Sequence, residues 1–312
     1  MNKNDTFVKQ LVVQSGIPRN QLASLSGLSN TYIRELENGI FTNIGREKLI
    51  ALGIGLSLNL NQIDQLLNSF DRISLTTEDI PSFIAVIEKS KLTSAHIPIR
   101  DFFTMELCLI PNERIPGQHI VVSIRPTDML KAKGNRSHTE RNCVKQHPVY
   151  SDLVETIGHI RQENLKKNLA NYDLDQYVCK RCLTDYLGNC QEMVERDWRI
   201  KHVENLISYL ERYKRCNFYL TETCPTFIIS QKIPPPSSNL PEWIMMCNLP
   251  SHQWEGLRSG QITGFITLNK GLVEAYAQEI KVLKNRVDTK LLDRSKLIAY
   301  LNDFIAKFKI TD

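Results

Sequence analysis

The run YVCKRCLTDYLGNC places Cys179, Cys182 and Cys190 closer together than any other three cysteines in this sequence. Thiolates are ligands for soft cations, and two of them separated by two residues form a turn that grips one ion. Zinc would need a fourth ligand, for which Cys143, His147, His159, His202, Cys216 and Cys224 are the candidates, and an iron–sulfur cluster would need four cysteines. Zinc is therefore the first cofactor to test and an iron–sulfur cluster the second. A redox-active pair and plain reduced thiols without metal are the other readings of the same residues. The 8 cysteines are irregularly spaced and follow a polar start, MNKNDT, with no signal-peptide character. That pattern points to reduced thiols or metal ligands rather than a disulfide framework, and to a cytoplasmic protein.

No other constellation carries chemistry as directly. The chain has no Gly-x-x-x-x-Gly-Lys phosphate loop, no His-Glu-x-x-His, no Gly-x-Ser-x-Gly elbow and no Ala-Gly bond of the kind self-cleaving repressors cut. The expectation is a protein that is not an enzyme, with no catalytic residues. His202 and Glu204 read as a solvated helix face rather than an acid–base pair. Trp198, Trp243 and Trp254 read as core or interface before ligand stacking. The basic stretch from Arg125 to Lys145 reads equally as a solvated loop or as a phosphate-gripping one. No apolar run approaches the ~20 residues that cross a bilayer, so no membrane partner is expected.

Residues 19–39, RNQLASLSGLSNTYIRELENG, have the steric pattern of a helix-turn-helix. A first helix from about Arg19 to Ser26 buries Leu22 and keeps Ala23 small where a second helix crosses. Gly27 supplies the positive φ of the turn, Leu28 plugs the space beneath it, and Ser29 caps the next helix. On that helix Ile33 and Leu36 face inward. Asn30, Thr31, Tyr32 and Arg34 are left on or near the outer face.

The order of these residues resembles the lambda-repressor-like (XRE-type) family of bacterial and phage regulators. The resemblance extends upstream to FVKQLVVQSGI and downstream to IGREKLIALGIGLSLNLNQIDQLLN, covering roughly residues 5–70. It implies a five-helix domain that binds a double-stranded DNA operator. By position, Gln21 resembles the family's phosphate-clamping glutamine. Asn30, Thr31, Tyr32 and Arg34 would approach base edges, with Ser29 at the cap and Asn38 and Thr42 near phosphates. Residues 1–70 carry six Lys or Arg against five Asp or Glu, so the segment is almost neutral, unlike most nucleic-acid binders. Binding by a pair of heads is therefore expected, through a homodimer.

The remainder is too long for a five-helix domain alone: 312 residues, 42% hydrophobic and 23% charged, with a mild net charge of +5. Residues 72–115 read as a helical linker, with Ile80, Phe83, Ile84 and Ile87 at helical spacing. Residues 116–312 read as an α+β dimerisation and sensor domain with a small, mostly antiparallel sheet. Strands are expected over 119–126, 216–233, 242–249 and 262–268, and helices over 150–172, 197–213, 270–287 and 294–309. The ending distantly resembles phospholipase-D-like sensor modules, without their catalytic His-x-Lys pair. The expected protein is thus a bacterial, nucleoid-associated, sequence-specific regulator, a repressor by resemblance, whose C-terminal domain dimerises and senses an unknown effector. The alternatives are an enzyme, or an antitoxin- or immunity-type protein, in which the helix-turn-helix serves only for targeting or autoregulation.

Overall fold

The structure, a computed structural model, describes residues 3–309 apart from 42, 90–96, 100–101, 132–146, 191–192, 226 and 249–261. Five helices come first: α1 (Lys3–Ser15), α2 (Arg19–Ser26), α3 (Asn30–Glu37), α4 (Arg46–Gly55) and α5 (Leu60–Ser69). Each begins or ends where its residues dictate. Gly27 closes α2 at φ 71°, its N–H donating to the Ala23 carbonyl. The Ser29 side chain caps α3 by accepting from the Tyr32 N–H at 3.1 Å. A capping box of Asn59 and Gln62 starts α5. Leu22, Ile33, Leu36, Leu49, Leu52 and Ile63 fill the space between them and are at most 2% exposed. α4 crosses α2 so closely that a Cβ on Gly55 would stand 2.8 Å from a Leu22 methyl and 2.9 Å from the Ser26 Cβ.

Residues 72–115 do more than connect. Arg46 on α4 pairs with Asp79 at 2.6 Å, fastening this segment back onto the five helices. Helix α6 (Ile80–Lys89) packs on α2 and α4, and α7 (Phe102–Glu113) packs on α6. Phe83, Ile87, Phe103 and Leu107 thereby join the same apolar core as Leu22 and Ile50. A short strand, β1 (Ile97–Ile99), even enters the sheet from this segment, as its edge.

The sheet departs from expectation in size and direction. It has seven strands: β1, β2 (Gln118–Ser123), β3 (Leu174–Cys179), β4 (Cys216–Thr221), β5 (Phe227–Ile233), β6 (Trp243–Asn248) and β7 (Thr263–Thr267), in the order β1-β7-β6-β5-β2-β3-β4. β2, β3 and β4 run parallel, and the other neighbours are antiparallel. A small antiparallel sheet is therefore replaced by a larger, mixed one. The parallel half follows from its crossovers: α8 (Tyr150–Leu169) joins β2 to β3, while α9 (Lys180–Gly188) and α10 (Met193–Arg212) join β3 to β4. β3 was invisible to pattern reading because every one of its residues is buried, so LDQYVC shows no alternation.

Helices cover both faces. Val121, Val178, Leu220 and Met245 point into the large core beneath α7, α8, α9, α10 and α12 (Arg294–Lys309). Their neighbours Ile120, Val122, Tyr177 and Ile244 point to the opposite face, against Val273, Ile280 and Leu283 of α11 (Lys270–Lys284). No helix among the described residues is long and apolar enough to cross a membrane.

Candidate functional site

Helix α3 presents the residues predicted to read DNA, held by the buried Ile33 and Leu36 behind them. Ser29, Asn30, Thr31, Arg34 and Asn38 are exposed. Tyr32 is half-buried: its ring lies 4.7 Å from that of Phe41, and the Lys48 ammonium sits 4.5 Å from its centroid. Tyr32 thus braces the loop after α3 against α4 as much as it faces outward, and partial burial holds its hydroxyl proton more tightly than usual. Lys48, which pattern reading did not single out, is an exposed cation beside this surface. Arg19 and Glu37 pair at 2.8 Å, tying the start of α2 to the end of α3.

Gln21 stands differently. Its side chain is fully buried, at 0% exposure, between the helices. The resemblance implies a phosphate clamp there, and its neighbours Arg19 and Asn20 in the first turn of α2 are exposed. Thr42 lies outside the described residues.

The thiols converge as a triad, with one exchange. Cys179 ends β3, Cys182 sits in the first turn of α9, and Cys224 follows the end of β4; their sulfurs all lie within 4.8 Å of one another. Cys182 and Cys224 are 3.2 Å apart, reduced and in contact. Cys190 is not in the group. The helix rises about 9 Å from Cys182 to its end at Gly188, at ~1.5 Å per residue, and the Cys190 thiol, just beyond that end, donates to the Leu187 carbonyl at 3.2 Å. Parallel pairing of β3 and β4 brings both strand ends to the same edge, and that is what substitutes Cys224 for Cys190.

The triad's dimensions suit a metal. Bonds of ~2.3 Å in tetrahedral geometry put zinc-bound sulfurs about 3.8 Å apart, between the two limits found here. A hydrogen bond with Cys179, then burial and a hydrogen bond with Cys224, hold the proton on Cys182 well above the usual thiol range. Burial does the same for Cys224. Three crowded thiols resist ionising together unless a cation compensates them. Among the described residues the group has three members. Cys143 lies outside the described residues. His147 is bound to Asp64 at 3.0 Å, His159 is exposed on α8, and Cys216 is buried at the start of β4, far along the strand from its end.

No protein-family model, curated protein or solved structure matches this chain. His202 is fully buried: its Nε2–H donates to the Thr127 carbonyl at 3.0 Å, its Nδ1 accepts from the Tyr186 hydroxyl at 2.9 Å, and burial lowers its pKa to about 3. It is no partner of Glu204, which pairs with Lys309 instead. Trp243 is in the core and Trp198 is half-buried, whereas Trp254 and most of the Arg125–Lys145 stretch fall outside the described residues.

Proposed function

We propose that the protein is a sequence-specific DNA-binding regulator, most simply a repressor, in which α3 reads the major groove. The observation that carries this reading is the presentation of Asn30, Thr31 and Arg34, all exposed, on a short helix fixed from behind by Ile33 and Leu36. Asn bonds adenine bidentately, Arg bonds guanine, and a threonine methyl meets the thymine methyl. Lys48 and Asn38 flank them as phosphate contacts. With so few cations one head binds weakly, so two copies on neighbouring half-sites are required, which makes a homodimer part of the proposal. The thiol triad of Cys179, Cys182 and Cys224 holds a structural zinc ion in this reading. Its role is to pin the start of α9 and the loop after β4 to the end of β3.

Selection of bound duplexes from a random pool by the full chain, followed by gel shift, tests the DNA assignment. A consensus with two half-sites about one helical turn apart, lost in Arg34→Ala and Asn30→Ala, is the expected result. Selection of no consensus, or binding indifferent to both changes, removes it.

A further inference from the structure

Two sets of buried polar groups lie outside the surface presented by α3. Beneath α7 and α8, Arg161 of α8 donates to both Glu113 oxygens, at 2.7 and 2.9 Å, and also to Glu106 Oε2. Lys232 of β5 borders the same small space as Glu113. All four residues are at most 4% exposed, so this charged interior is packed away from solvent. The thiol triad is different, because one of its members reaches the surface. Cys179 and Cys182 are 2% and 1% exposed, whereas Cys224 is half-buried. Cys224 also lines a pocket of about 620 Å³, with Thr223, Pro225 and Phe227 beside it and Ile280 and Leu283 of α11 opposite. The loop from β4 to β5 must cross the ends of β3 and β2, which lie between those strands in the sheet, and the pocket sits under that crossing.

Backbone and side-chain contacts around the triad bring its sulfurs together. Cys179 lies opposite Thr221 in the β3–β4 ladder. The Thr221 hydroxyl donates to the Thr223 carbonyl at 2.9 Å, bending the chain just after β4. Lys180, between the two cysteines of the C-x2-C, reaches Glu222 at 2.7 Å and also pairs with Asp288. The start of α9 and the loop after β4 are thereby fixed to each other. Cys182 Sγ and Cys224 Sγ meet at 3.2 Å as a result. A disulfide holds its sulfurs at ~2.05 Å, so roughly 1 Å of approach separates this pair from a bond. Two thiols held in contact react as an intramolecular pair, with an effective concentration far above that of a thiol in solution.

We propose that Cys182 and Cys224 are a modification site, forming a reversible disulfide by exchange with small organic disulfides of the glutathione type. Cys224, reached through its pocket, gives up its proton and attacks one sulfur of the small disulfide. That S–S bond breaks, a mixed disulfide forms at Cys224, and the first small thiol leaves with the proton. The pocket gives the mixed disulfide room. Cys182 then attacks the Cys224 sulfur, the protein disulfide forms, and the second small thiol leaves with the Cys182 proton. In sum, two protein thiols are oxidised and one small disulfide is reduced to two thiols. The bond also takes Cys182 and Cys224 out of the metal-ligand set and leaves Cys179 alone. As a signal this rests on the regulatory reading, in which it makes thiol redox state the input. Bond formation itself is measured without DNA and on metal-free protein, so the failure of either is seen separately.

The test equilibrates the full chain, stripped of metal by a chelator, in about 1 mM each of reduced and oxidised glutathione without oxygen. Thiols are then blocked with N-ethylmaleimide and the peptides mapped by mass spectrometry without reduction. Buried, protonated thiols exchange slowly, so samples are taken until the map no longer changes. The Cys182–Cys224 disulfide should exceed the reduced pair at least about tenfold and should disappear on adding dithiothreitol. Cys182→Ser should leave Cys224 as its glutathione mixed disulfide. The wild-type map is decisive by itself, so the result holds if that variant folds poorly. Cys182 and Cys224 still reduced at equilibrium, a Cys179–Cys182 bond in place of theirs, or Cys224 carrying only glutathione in the wild type overturns the proposal. Zinc-loaded protein, run in parallel with a colorimetric chelator, should release its ion in step with the bond. A protein that forms the bond yet binds no zinc upholds this proposal and removes the structural zinc ion instead.

Discussion

Arg34 and Lys232 mark the two extremes of what a single residue does in this protein. Arg34 is exposed and contributes little to the fold, so its replacement by alanine should leave Tm within about 1 °C while costing roughly 1–3 kcal/mol of DNA affinity. Gel shifts on the selected duplex, read beside a melting curve, check both halves of that statement. Lys232 is the reverse. Its pKa is lowered by burial from 10.5 to about 8, so its contribution to stability is present above pH 10.5 and is lost as pH falls through 8. Lys232→Met should accordingly stabilise the protein at pH 7 by roughly 1–3 kcal/mol, with the gain shrinking toward pH 10. A gain of the same size at pH 7 and pH 10 would show that charge burial is not its origin. His202, lowered to about 3, works in the same sense at lower pH: its stability is present above 6.5 and is lost as pH falls toward 3.

At the scale of elements, two junctions decide the architecture. The α2–α4 crossing depends on Gly55, where an added Cβ would meet Leu22 and Ser26 at under 3 Å. Gly55→Val should cost roughly 1–3 kcal/mol or more through overpacking, and DNA binding should weaken with it as α3 loses its support. Chemical denaturation of the full chain checks the first part, and gel shift the second. The other junction is the triad at the ends of β3 and β4. If it holds zinc, elemental analysis of anaerobically purified protein should find about one ion per chain in the wild type and in Cys190→Ser, and none in Cys224→Ser or Cys182→Ser. Retention in Cys224→Ser with loss in Cys190→Ser would restore the ligand set that spacing alone suggested.

Over the whole molecule, the five-helix bundle is not an independent bead on a linker. Phe83, Ile87, Phe103, Leu107, Tyr150 and Leu153 share one buried cluster with Leu22, Ile50 and Ile63. A fragment ending near residue 75 would expose the face that α6 and α7 cover. It should therefore melt well below the bundle within the intact chain, and unfolding of the intact chain followed by Trp fluorescence and by far-ultraviolet circular dichroism should coincide. A fragment as stable as the whole would contradict this. The continuous core also gives α7 contact with both the charged interior and the five-helix bundle, which is the coupling that the proposed regulation would need.

Much of this was legible in the order of residues. Gly27, Ser29 and the Ile33–Leu36 spacing are local devices, and local chemistry alone sets a left-handed turn, a cap and a buried stripe. The helices over 150–169 and 294–309 and strands β5, β6 and β7 were readable for the same reason, whereas β1 fell in a segment that read as a helical linker. What tertiary structure alone decided was everything that depends on which distant segments meet. Gln21 is polar and sits where a clamp is expected, but neighbouring helices bury it. Cys224 replaces Cys190 because parallel pairing of β3 and β4 aligns their ends, a fact with no trace in the interval between cysteines. Glu106, Arg161 and Lys232 lie on three separate elements and look like ordinary surface charges in sequence. Only the closing of α7 and α8 over the sheet removes them from water. The sequence determined the local geometry of the helix-turn-helix because capping and helical periodicity act over a few residues. The folded chain determined the charged interior and the thiol triad because desolvation and proximity exist only once distant segments are packed together.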